Sequence, residues 1–431
     1  MFENLIDQEA GLRLIQDIKQ KKLPPSILFS GPECSGKLTA ALELARSVSC
    51  TESGQWTCTC SSCLRQKEMI APDVLILGAR DHSPEIKAAC ETLLKTKTLS
   101  SRYLFLRAIR KLTARFDPRL WDTDETRFVK AAPVIAEIEE LLADLCSGPI
   151  ETIDDKVLNK TAEALVLKSA KLQDECMYDT IPINQVRKAS SWVRLMPSGI
   201  KKVLIVENAD KMQEGARNAF LKILEEPPSY AVFVLTTAHR GAIMPTILSR
   251  VRTYTFKERD KKSQEEVIRR VFKGEPCHEP FGKFNLLSSY LYGFLPVSFR
   301  TIQNAASLFY EYVFLLIDRQ NKILPSALYN SISNYKNKNN YDNSNCTVSN
   351  IVNIYENKAY NGARDEKIEG YSNLGQIYML MDKYSISSEL TNFTEKHNLN
   401  SIYENYENLI SQKIQDNMNW RNYENVYEMV K

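Results

Sequence analysis

The feature that most constrains the fold is a glycine-rich segment between a short apolar run and a helical pattern. Ser26–Ser30 has the composition of a buried strand, and Gly31-Pro-Glu-Cys-Ser-Gly36-Lys37 follows it directly. Residues 40–48 then predict a helix. The two glycines let backbone N–H groups converge on an anion at a helix N-terminus, where the lysine adds a positive charge. The segment therefore predicts a phosphate-loop α/β fold, with Gly31, Gly36 and Lys37 as candidate nucleotide-binding residues.

Three further strand patterns belong to the predicted core, and the first of them in chain order is Asp73–Leu77. Val203–Val206 is wholly apolar, as expected of a strand that is buried on both faces of a parallel sheet. Glu207 follows at its carboxyl end, where open α/β sheets bind their ligands. An amphipathic helix then ends at Pro227-Pro228, and a further buried strand covers Ala231–Thr237. Glu207 and Thr237 join the candidate nucleotide-binding residues.

Two residues depart from the pattern of a hydrolysing enzyme. Leu38 follows Lys37, at the position where a serine or threonine hydroxyl would bind Mg²⁺. Thr39 is kept as a candidate, although it lies about 100° further around the helix and cannot simply substitute. Asn208 follows Glu207, and an amide cannot accept a proton from the attacking water as a glutamate would. The core could bind ATP, but it is poorly equipped to bind Mg²⁺ and to hydrolyse the nucleotide.

Four of the ten cysteines form a cluster in the sequence: Cys50, Cys58, Cys60 and Cys63. The chain has no secretion signal pattern and no apolar run of about 18 residues, so we expect a cytoplasmic protein without a membrane span. Disulfides do not persist in that compartment, whereas four thiols suit a closed, structural Zn²⁺ site. Because Cys58-x-Cys60 is a tight spacing, one ligand could be displaced. The alternative is four unrelated buried thiols.

Charge patterns leave the question of nucleic-acid contact open. The formal net charge of +3 over 431 residues gives no global field for tight nucleic-acid binding by this chain alone. Residues 83–178 predict a helical insertion, and one of its helices carries a basic stripe: Arg107, Arg110, Lys111 and Arg115. The stripe could contact DNA phosphates. The acidic residues 137–144 favour the plainer interpretation, a solvated helix face.

The C-terminal part is predicted to be helical but of a different composition. Residues 257–298 begin with a charged run and continue as a small helical segment. Residues 302–317 predict a long amphipathic helix, and helical periodicity returns after residue 371. Between them, residues 334–349 are rich in Asn, Tyr, Ser and Lys, which predicts a disordered loop.

These motifs together resemble the delta-prime subunits of bacterial DNA polymerase III clamp loaders. The resemblance rests on the phosphate loop, the cysteine cluster, Ile181-Pro-Ile-Asn-Gln185-Val-Arg187, Asn218–Pro228 and Ser249-Arg250. It covers residues 1–82 and 179–256 well and the C-terminal third only by position. Val251 stands where that family usually has a cysteine, and the helical insertion is not part of the expected pattern.

The resemblance implies an AAA+ core over residues 1–256, with a zinc module at about 50–63. A helical lid over 257–298 and an all-helical collar over 299–431, used for assembly into a pentamer, would follow. It implies a stator that does not hydrolyse ATP itself, with which Leu38 and Asn208 agree. The implied partners are the gamma/tau and delta subunits, with the sliding clamp and primed DNA contacted through the complex.

The resemblance also implies that Arg250 is an arginine finger for the nucleotide of a neighbouring subunit; the alternative is an ordinary surface ion pair. Two other functions stay open. One is a catalytically active gamma/tau-type subunit, which would be expected to have threonine in place of Leu38 and Asp-Glu in place of Glu207-Asn208. The other is a zinc-containing DNA-binding or interaction protein outside any clamp loader.

Overall fold

The chain divides into two units, Met1–Ser298 and Phe299–Lys431. The structure, a computed structural model, describes residues 1–276 and 285–294. The predicted collar, residues 299–431, and the predicted loop at 334–349 lie outside the described residues, as does part of the predicted lid. In the part of the chain that the structure describes, no helix is both long and apolar enough to cross a membrane.

The first unit is built on a parallel sheet of five strands. In chain order the strands are β1 (Ser26–Ser30), β2 (Val74–Gly78), β3 (Lys202–Glu207), β4 (Ala231–Thr237) and β5 (Arg252–Thr255). Their spatial order is β2-β3-β4-β1-β5. Ser30 pairs with Thr237, and Gly78 pairs with Glu207. The carboxyl ends of four strands therefore meet at one edge, the edge at which open α/β sheets bind ligands.

Both faces of the sheet are covered, which explains the continuous apolar runs in its central strands. Leu204 and Val206 point into one apolar cluster, while Val203 and Ile205 point into another on the opposite face. Since side chains alternate along a strand, a strand that is covered on both sides needs apolar residues at every position.

Twelve helices surround the sheet within the described residues. They are α1 (Glu9–Lys19), α2 (Lys37–Val48), α3 (Ser61–Lys67), α4 (Ser83–Thr96), α5 (Leu99–Thr113), α6 (Thr126–Cys146), α7 (Asp155–Cys176), α8 (Ile183–Arg194), α9 (Glu214–Glu225), α10 (Pro245–Leu248), α11 (Lys261–Val267) and α12 (Leu286–Tyr292). A π-helical turn, Ile268–Phe272, extends α11. Helices α1 and α2 pack on one face of the sheet, and α4 to α9 contribute to the cluster on the other.

The fold is the α/β architecture with a parallel sheet that the sequence predicts, and one of its strands was not expected. Helix α8 begins at Ile183, directly after Pro182. Strand β5 was not predicted, because Tyr254 alone of its four residues is buried and the others give no apolar pattern. Residues 83–178 are largely helical, as their apolar stripes predict, and form α4 to α7.

Candidate functional site

The phosphate loop lies between β1 and α2, and its two glycines are required by close backbone packing. A Cβ atom on Gly31 would lie 2.3 Å from the carbonyl oxygen of Phe256, a distance that no side chain tolerates. Gly36 has φ +94°, in the left-handed region that favours glycine. The loop therefore adopts a conformation that only this glycine spacing permits.

Lys37 turns back onto the loop that precedes it. Its ammonium group donates to the carbonyl oxygens of Gly31, at 2.6 Å, and Pro32, at 2.5 Å, and lies 3.4 Å from the Ser35 hydroxyl. The side chain is 8% exposed, and burial lowers the pKa of this lysine. Three loop oxygens thus surround a cation that would have to turn outward to reach a phosphate.

Groups from the segment after β5 cover the loop. The Tyr292 hydroxyl donates to the Glu33 carboxylate at 3.2 Å, and the Ser288 hydroxyl lies 3.4 Å from the Cys34 sulfur. Arg259 donates to the Cys34 carbonyl oxygen at 2.6 Å. Burial raises the pKa of Glu33, although the tyrosine hydrogen bond opposes the rise, and burial also raises the pKa of Tyr292. An acidic side chain of the loop therefore pairs directly with a tyrosine from a later segment of the chain.

Glu207, the candidate acid at the end of β3, forms ion pairs with two arginines. Arg115, immediately after α5, donates to one carboxylate oxygen, and the Nε atom of Arg80 lies 3.5 Å from the other. The Glu207 and Arg115 side chains are 6% and 3% exposed. Burial lowers the pKa of Arg115 to about 10, which still leaves it charged at pH 7. The acid that would hold a metal-bound water already has two cationic partners.

Asn208 and Thr237 complete the edge of the sheet. Asn208 has φ +53°, and its amide donates to the carbonyl oxygen of Ala79 at 3.0 Å. The Thr237 hydroxyl donates to Asp210 at 2.5 Å. The structure thus brings Gly31, Lys37, Glu207 and Thr237 to one edge, because β1, β3 and β4 all end there. Thr39 lies half-buried in the first turn of α2.

The first half of the basic stripe on α5 binds the carbonyl end of α3. Arg107 donates to the carbonyl oxygen of Lys67 at 2.7 Å, and Arg110 donates to that of Glu68 at 2.8 Å. Cations at a helix C-terminus satisfy the carbonyl groups that lack an intrahelical partner. The interpretation of these residues as a solvated helix face is therefore wrong, because their guanidinium groups donate to carbonyl oxygens of the protein.

The second half of the stripe pairs with two acids near the sheet edge, one partly buried and one fully buried. Lys111 pairs with Glu85, and Arg115 pairs with Glu207. Burial alone would raise the pKa of Glu85, but Lys111 and Arg80 lower it to about 2. Beside this network, His82 is fully buried, and burial together with the neighbouring cations lowers its pKa well below 6.5.

The four clustered cysteines come together in three dimensions. The sulfur atoms of Cys50, Cys58, Cys60 and Cys63 all lie within 4.8 Å of one another. Cys60 caps α3, and its sulfur accepts the Cys63 backbone N–H at 3.4 Å. Burial opposes ionisation of the Cys60 thiol, yet its hydrogen bonds lower the pKa to about 6. Four converging sulfurs with backbone N–H donors fit a tetrahedral Zn²⁺ site.

Arg250 lies between α10 and β5 and is held by its own chain. Its guanidinium donates to Glu225, at the end of α9, at 2.8 Å and to the Thr246 carbonyl oxygen at 2.8 Å. The side chain is 34% exposed. Val251, beside it, is buried. Arg250 thus projects from the segment after α10, with part of its surface open to solvent.

Sequence reasoning did not single out Arg80 or Glu33, and it missed the ion pair that Arg115 forms. Arg80 and Arg115 pair with Glu207 from other parts of the chain, and Glu33 lies inside the loop where a phosphate would approach. A usable signal existed for one of them. An acidic side chain within a phosphate loop opposes anion binding, so Glu33 could have been recognised from its position.

Comparison with known families gives a match over more than half of the chain. A family model described as "DNA polymerase III, delta subunit" matches residues 6–118 and 135–260. Most of the predicted insertion at 83–178 lies within the matched residues. The expectation that the whole segment stands outside the family pattern is therefore wrong, and residues 119–134 alone fall between the two matched stretches.

Individual relatives match over shorter segments. The tau subunit of DNA polymerase III from Bacillus subtilis (strain 168) is 26% identical over 139 residues, which is 31% of this chain and 25% of that protein. The delta' subunit from the same organism is 38% identical over 66 residues, 15% of this chain and 20% of that protein. The matched segment thus spans a quarter or less of these relatives. A solved gamma subunit-related protein from Thermotoga maritima is 18% identical, with 74% of this chain and 64% of that chain covered and a TM-score of 0.29.

Proposed function

Because the chain belongs to the DNA polymerase III delta-subunit family of clamp-loader subunits, we propose that it is a delta-prime subunit that does not hydrolyse ATP itself. In this role it assembles in the cytoplasm with gamma/tau and delta subunits and helps to load the sliding clamp on primed DNA during replication. The family match gives no support to a zinc-containing DNA-binding protein outside any clamp loader.

The ion pairs of Glu207 carry the proposal. To hold a metal-bound water, this carboxylate would have to exchange Arg115 and Arg80 for a hydrated Mg²⁺ ion. Breaking such a pair while its partner stays buried costs about 3–5 kcal/mol. Leu38 supplies no hydroxyl to the ion, and Asn208 supplies no base for the water. Three separate requirements for hydrolysis are therefore unmet in one site.

Nucleotide binding itself would also need rearrangement. The Glu33 carboxylate lies in the loop under Tyr292, and Lys37 is bound to loop carbonyl groups. A phosphate entering the loop would have to displace these contacts and approach an acidic side chain. We therefore propose that ATP binding is weak, and that residues 257–298, which supply Tyr292, act as the lid of this site.

The test is ATP turnover by the isolated chain and by its Lys37→Ala variant. We expect both rates to equal the background, because the wild-type site lacks the groups that hydrolysis requires. Turnover by the wild-type chain that Lys37→Ala abolishes would contradict the proposal. That result would favour the second candidate, an active gamma/tau-type subunit. The match to a tau subunit, which is longer than the match to a delta' subunit, supports this candidate.

We propose that the four clustered cysteines hold one structural Zn²⁺ ion. All four positions are filled by thiolates, so no position stays open for a catalytic water. The ion would fix the loop that carries Cys50 and Cys58 to the start of α3. Metal analysis of protein purified without chelators should give close to one equivalent of zinc, and its absence would refute the site.

Arg250 is proposed to act on the nucleotide of a neighbouring motor subunit. A guanidinium can form two N–H bonds to the γ-phosphate and stabilise the charge that develops in the transition state. The partial exposure of Arg250 supports this role, and release from Glu225 would free its guanidinium N–H groups to bind a phosphate. The collar at residues 299–431 is proposed to bring the two subunits together; a chain ending near Val297 should fold but fail to join the complex.

Reconstituted loaders test this role. Arg250→Ala should lower clamp- and DNA-stimulated ATP turnover by as much as about 10³-fold per affected site, and Arg250→Lys should rescue poorly because an ammonium lacks the planar fork. Arg252→Ala is the matched control, since Arg252 is 54% exposed and lies two residues away. Unchanged stimulated turnover in the Arg250→Ala loader would leave this residue with a surface ion pair only.

A further inference from the structure

Arg46 is a fully buried arginine on the helix that follows the phosphate loop. It lies in α2 and is 1% exposed, the largest side chain in the fully buried part of the protein that the structure describes. A buried guanidinium is costly unless each of its N–H groups finds an acceptor. Its partners therefore indicate why the chain keeps a cation at this position.

All five N–H groups of Arg46 have acceptors. Two donate to the two carboxylate oxygens of Glu43, one turn earlier on the same helix. Two donate to the carbonyl oxygens of Gly54, at 2.7 Å, and Gln55, at 2.8 Å. The fifth donates to the sulfur of Cys63 at 3.2 Å. A guanidinium has five donors in a fixed planar arrangement, so this set uses its full capacity.

Three of these acceptors belong to the candidate zinc module. Gly54 and Gln55 lie in the loop between Cys50 and Cys58, and Cys63 lies in α3 on the other side of the cluster. Arg46 therefore connects both halves of the cysteine cluster to α2. Because Glu43 neutralises its charge, the direct effect on Cys63 is a charge-assisted hydrogen bond rather than a net positive field.

A tetrathiolate zinc centre has a particular need for such donors. Four thiolates around Zn²⁺ leave a net charge of about −2, and hydrogen bonds to sulfur stabilise that charge and orient the ligand. Backbone N–H groups serve Cys50 and Cys60: Gly54 N donates to Cys50 at 3.2 Å, and Cys63 N donates to Cys60 at 3.4 Å. Cys63 instead receives its donor from a side chain.

We propose that Arg46 is a positioning residue of the zinc centre, which holds the Cys63 thiolate and the Gly54–Gln55 loop in ligating geometry. This role rests on the proposed zinc site. It assigns the buried arginine of α2 to metal binding and links the phosphate-loop helix directly to the cysteine module.

A matched control exists in Arg107. The guanidinium groups of Arg46 and Arg107 both lie over the Trp56 ring, at 5.6 Å and 5.9 Å from its centre. Arg107 also contacts the module, through the carbonyl oxygen of Lys67, but its bonds go to backbone oxygen rather than to a sulfur atom. Loss of Arg107 thus removes packing and charge from the module without removing a hydrogen bond to a zinc-ligating sulfur atom.

The experiment compares the full-length wild type with Glu43→Gln/Arg46→Met and Arg107→Met. The double change removes both buried charges together, which protects the fold, and glutamine still offers an oxygen to the Phe2 backbone N–H, 3.0 Å from Glu43. Competition with a chelator should show about 10- to 100-fold weaker zinc binding for the double variant. Arg107→Met should bind zinc nearly as well as the wild type.

Cobalt substitution separates a ligand effect from a stability effect. A hydrogen bond lowers the energy of the sulfur lone pair, so its loss should move the sulfur-to-Co²⁺ charge-transfer band to longer wavelength in the double variant. Arg107→Met should leave the band in place. If the double variant does not fold, Arg46→Lys provides the same readout, because an ammonium keeps the Glu43 pair but cannot reach all the other acceptors.

Each outcome decides between the two proposals. A wild-type protein that takes up neither zinc nor cobalt refutes the metal site and, with it, the role of Arg46. A metal-bound wild type whose Arg46 variants keep both the affinity and the band position refutes the role of Arg46 alone. An Arg107→Met variant that loses as much affinity as the double variant, with no band shift in either, would show general destabilisation of the module.

Discussion

Replacing Arg115 by methionine should lower the free energy of unfolding by about 3 kcal/mol, because it leaves the Glu207 carboxylate buried without its closest cation. The Glu207 and Arg115 side chains are 6% and 3% exposed, so water cannot take the place of the lost guanidinium. Two features place the cost at the low end of the range for broken buried pairs. Arg80 stays 3.5 Å from the other carboxylate oxygen, and two nitrogens of Arg115 make no hydrogen bond to any described residue.

Urea unfolding followed by tryptophan fluorescence measures the effect. Trp121 is a local probe, since its indole N–H donates to the Arg115 carbonyl oxygen at 2.7 Å. Arg115→Met/Glu207→Gln should be no less stable than Arg115→Met alone, because the second change removes the stranded charge. Arg119→Met is the control, and its partly exposed ion pair should contribute less than about 1 kcal/mol. A single variant as stable as the wild type, or strictly additive losses in the double variant, would refute the reasoning.

Three further measurements test other parts of the structure. Gly31→Ala should abolish or strongly destabilise folding of the core, as judged by thermal unfolding, because its Cβ would lie 2.3 Å from the Phe256 carbonyl oxygen; normal stability would mean that the loop has another conformation. Cys60→Ser should lower the zinc content and destabilise the module around residues 50–70, whereas full zinc retention would remove Cys60 from the ligands. The pKa of His82 lies well below 6.5 in the folded state, because burial and the neighbouring cations oppose its protonation. The free energy of unfolding should therefore be independent of His82 above about pH 6.5. Below that pH it should fall by at most about 1.4 kcal/mol per pH unit, because the unfolded chain binds the proton more readily. His82→Gln should flatten this dependence between about pH 6.5 and 5, and an unchanged slope would assign it to other groups.

Local sequence patterns predicted those strands whose burial is visible in the order of their apolar residues. Strands β1, β3 and β4 are buried on both faces and therefore appear as unbroken apolar runs. Strand β5 lies at the sheet edge with one buried residue, Tyr254, and leaves no such pattern.

The site was predictable only where its residues are close in sequence. The cysteine cluster and the phosphate loop are local motifs, and the structure brings each together. The Arg115–Glu207 pair joins residues 92 positions apart, and it forms only because the fold places the turn after α5 beside the carboxyl end of β3. A basic stripe on an isolated helix looks like a solvated face, since nothing in its spacing reveals that α3 and Glu207 will supply its partners.

The pairing of Glu207 with Arg115 also bears on evolutionary reversibility. If the chain does not hydrolyse ATP, as proposed, a variant that hydrolyses it would need a neutral residue at 115, a hydroxyl at Leu38 and a carboxylate at Asn208. The first change alone strands a buried acid, and the second inserts a polar group at a side chain that is 8% exposed in an apolar cluster. Each of these two changes would lower stability before the third could restore any activity. A buried ion pair of this kind would therefore hinder a non-hydrolysing subunit from acquiring hydrolysis by single substitutions.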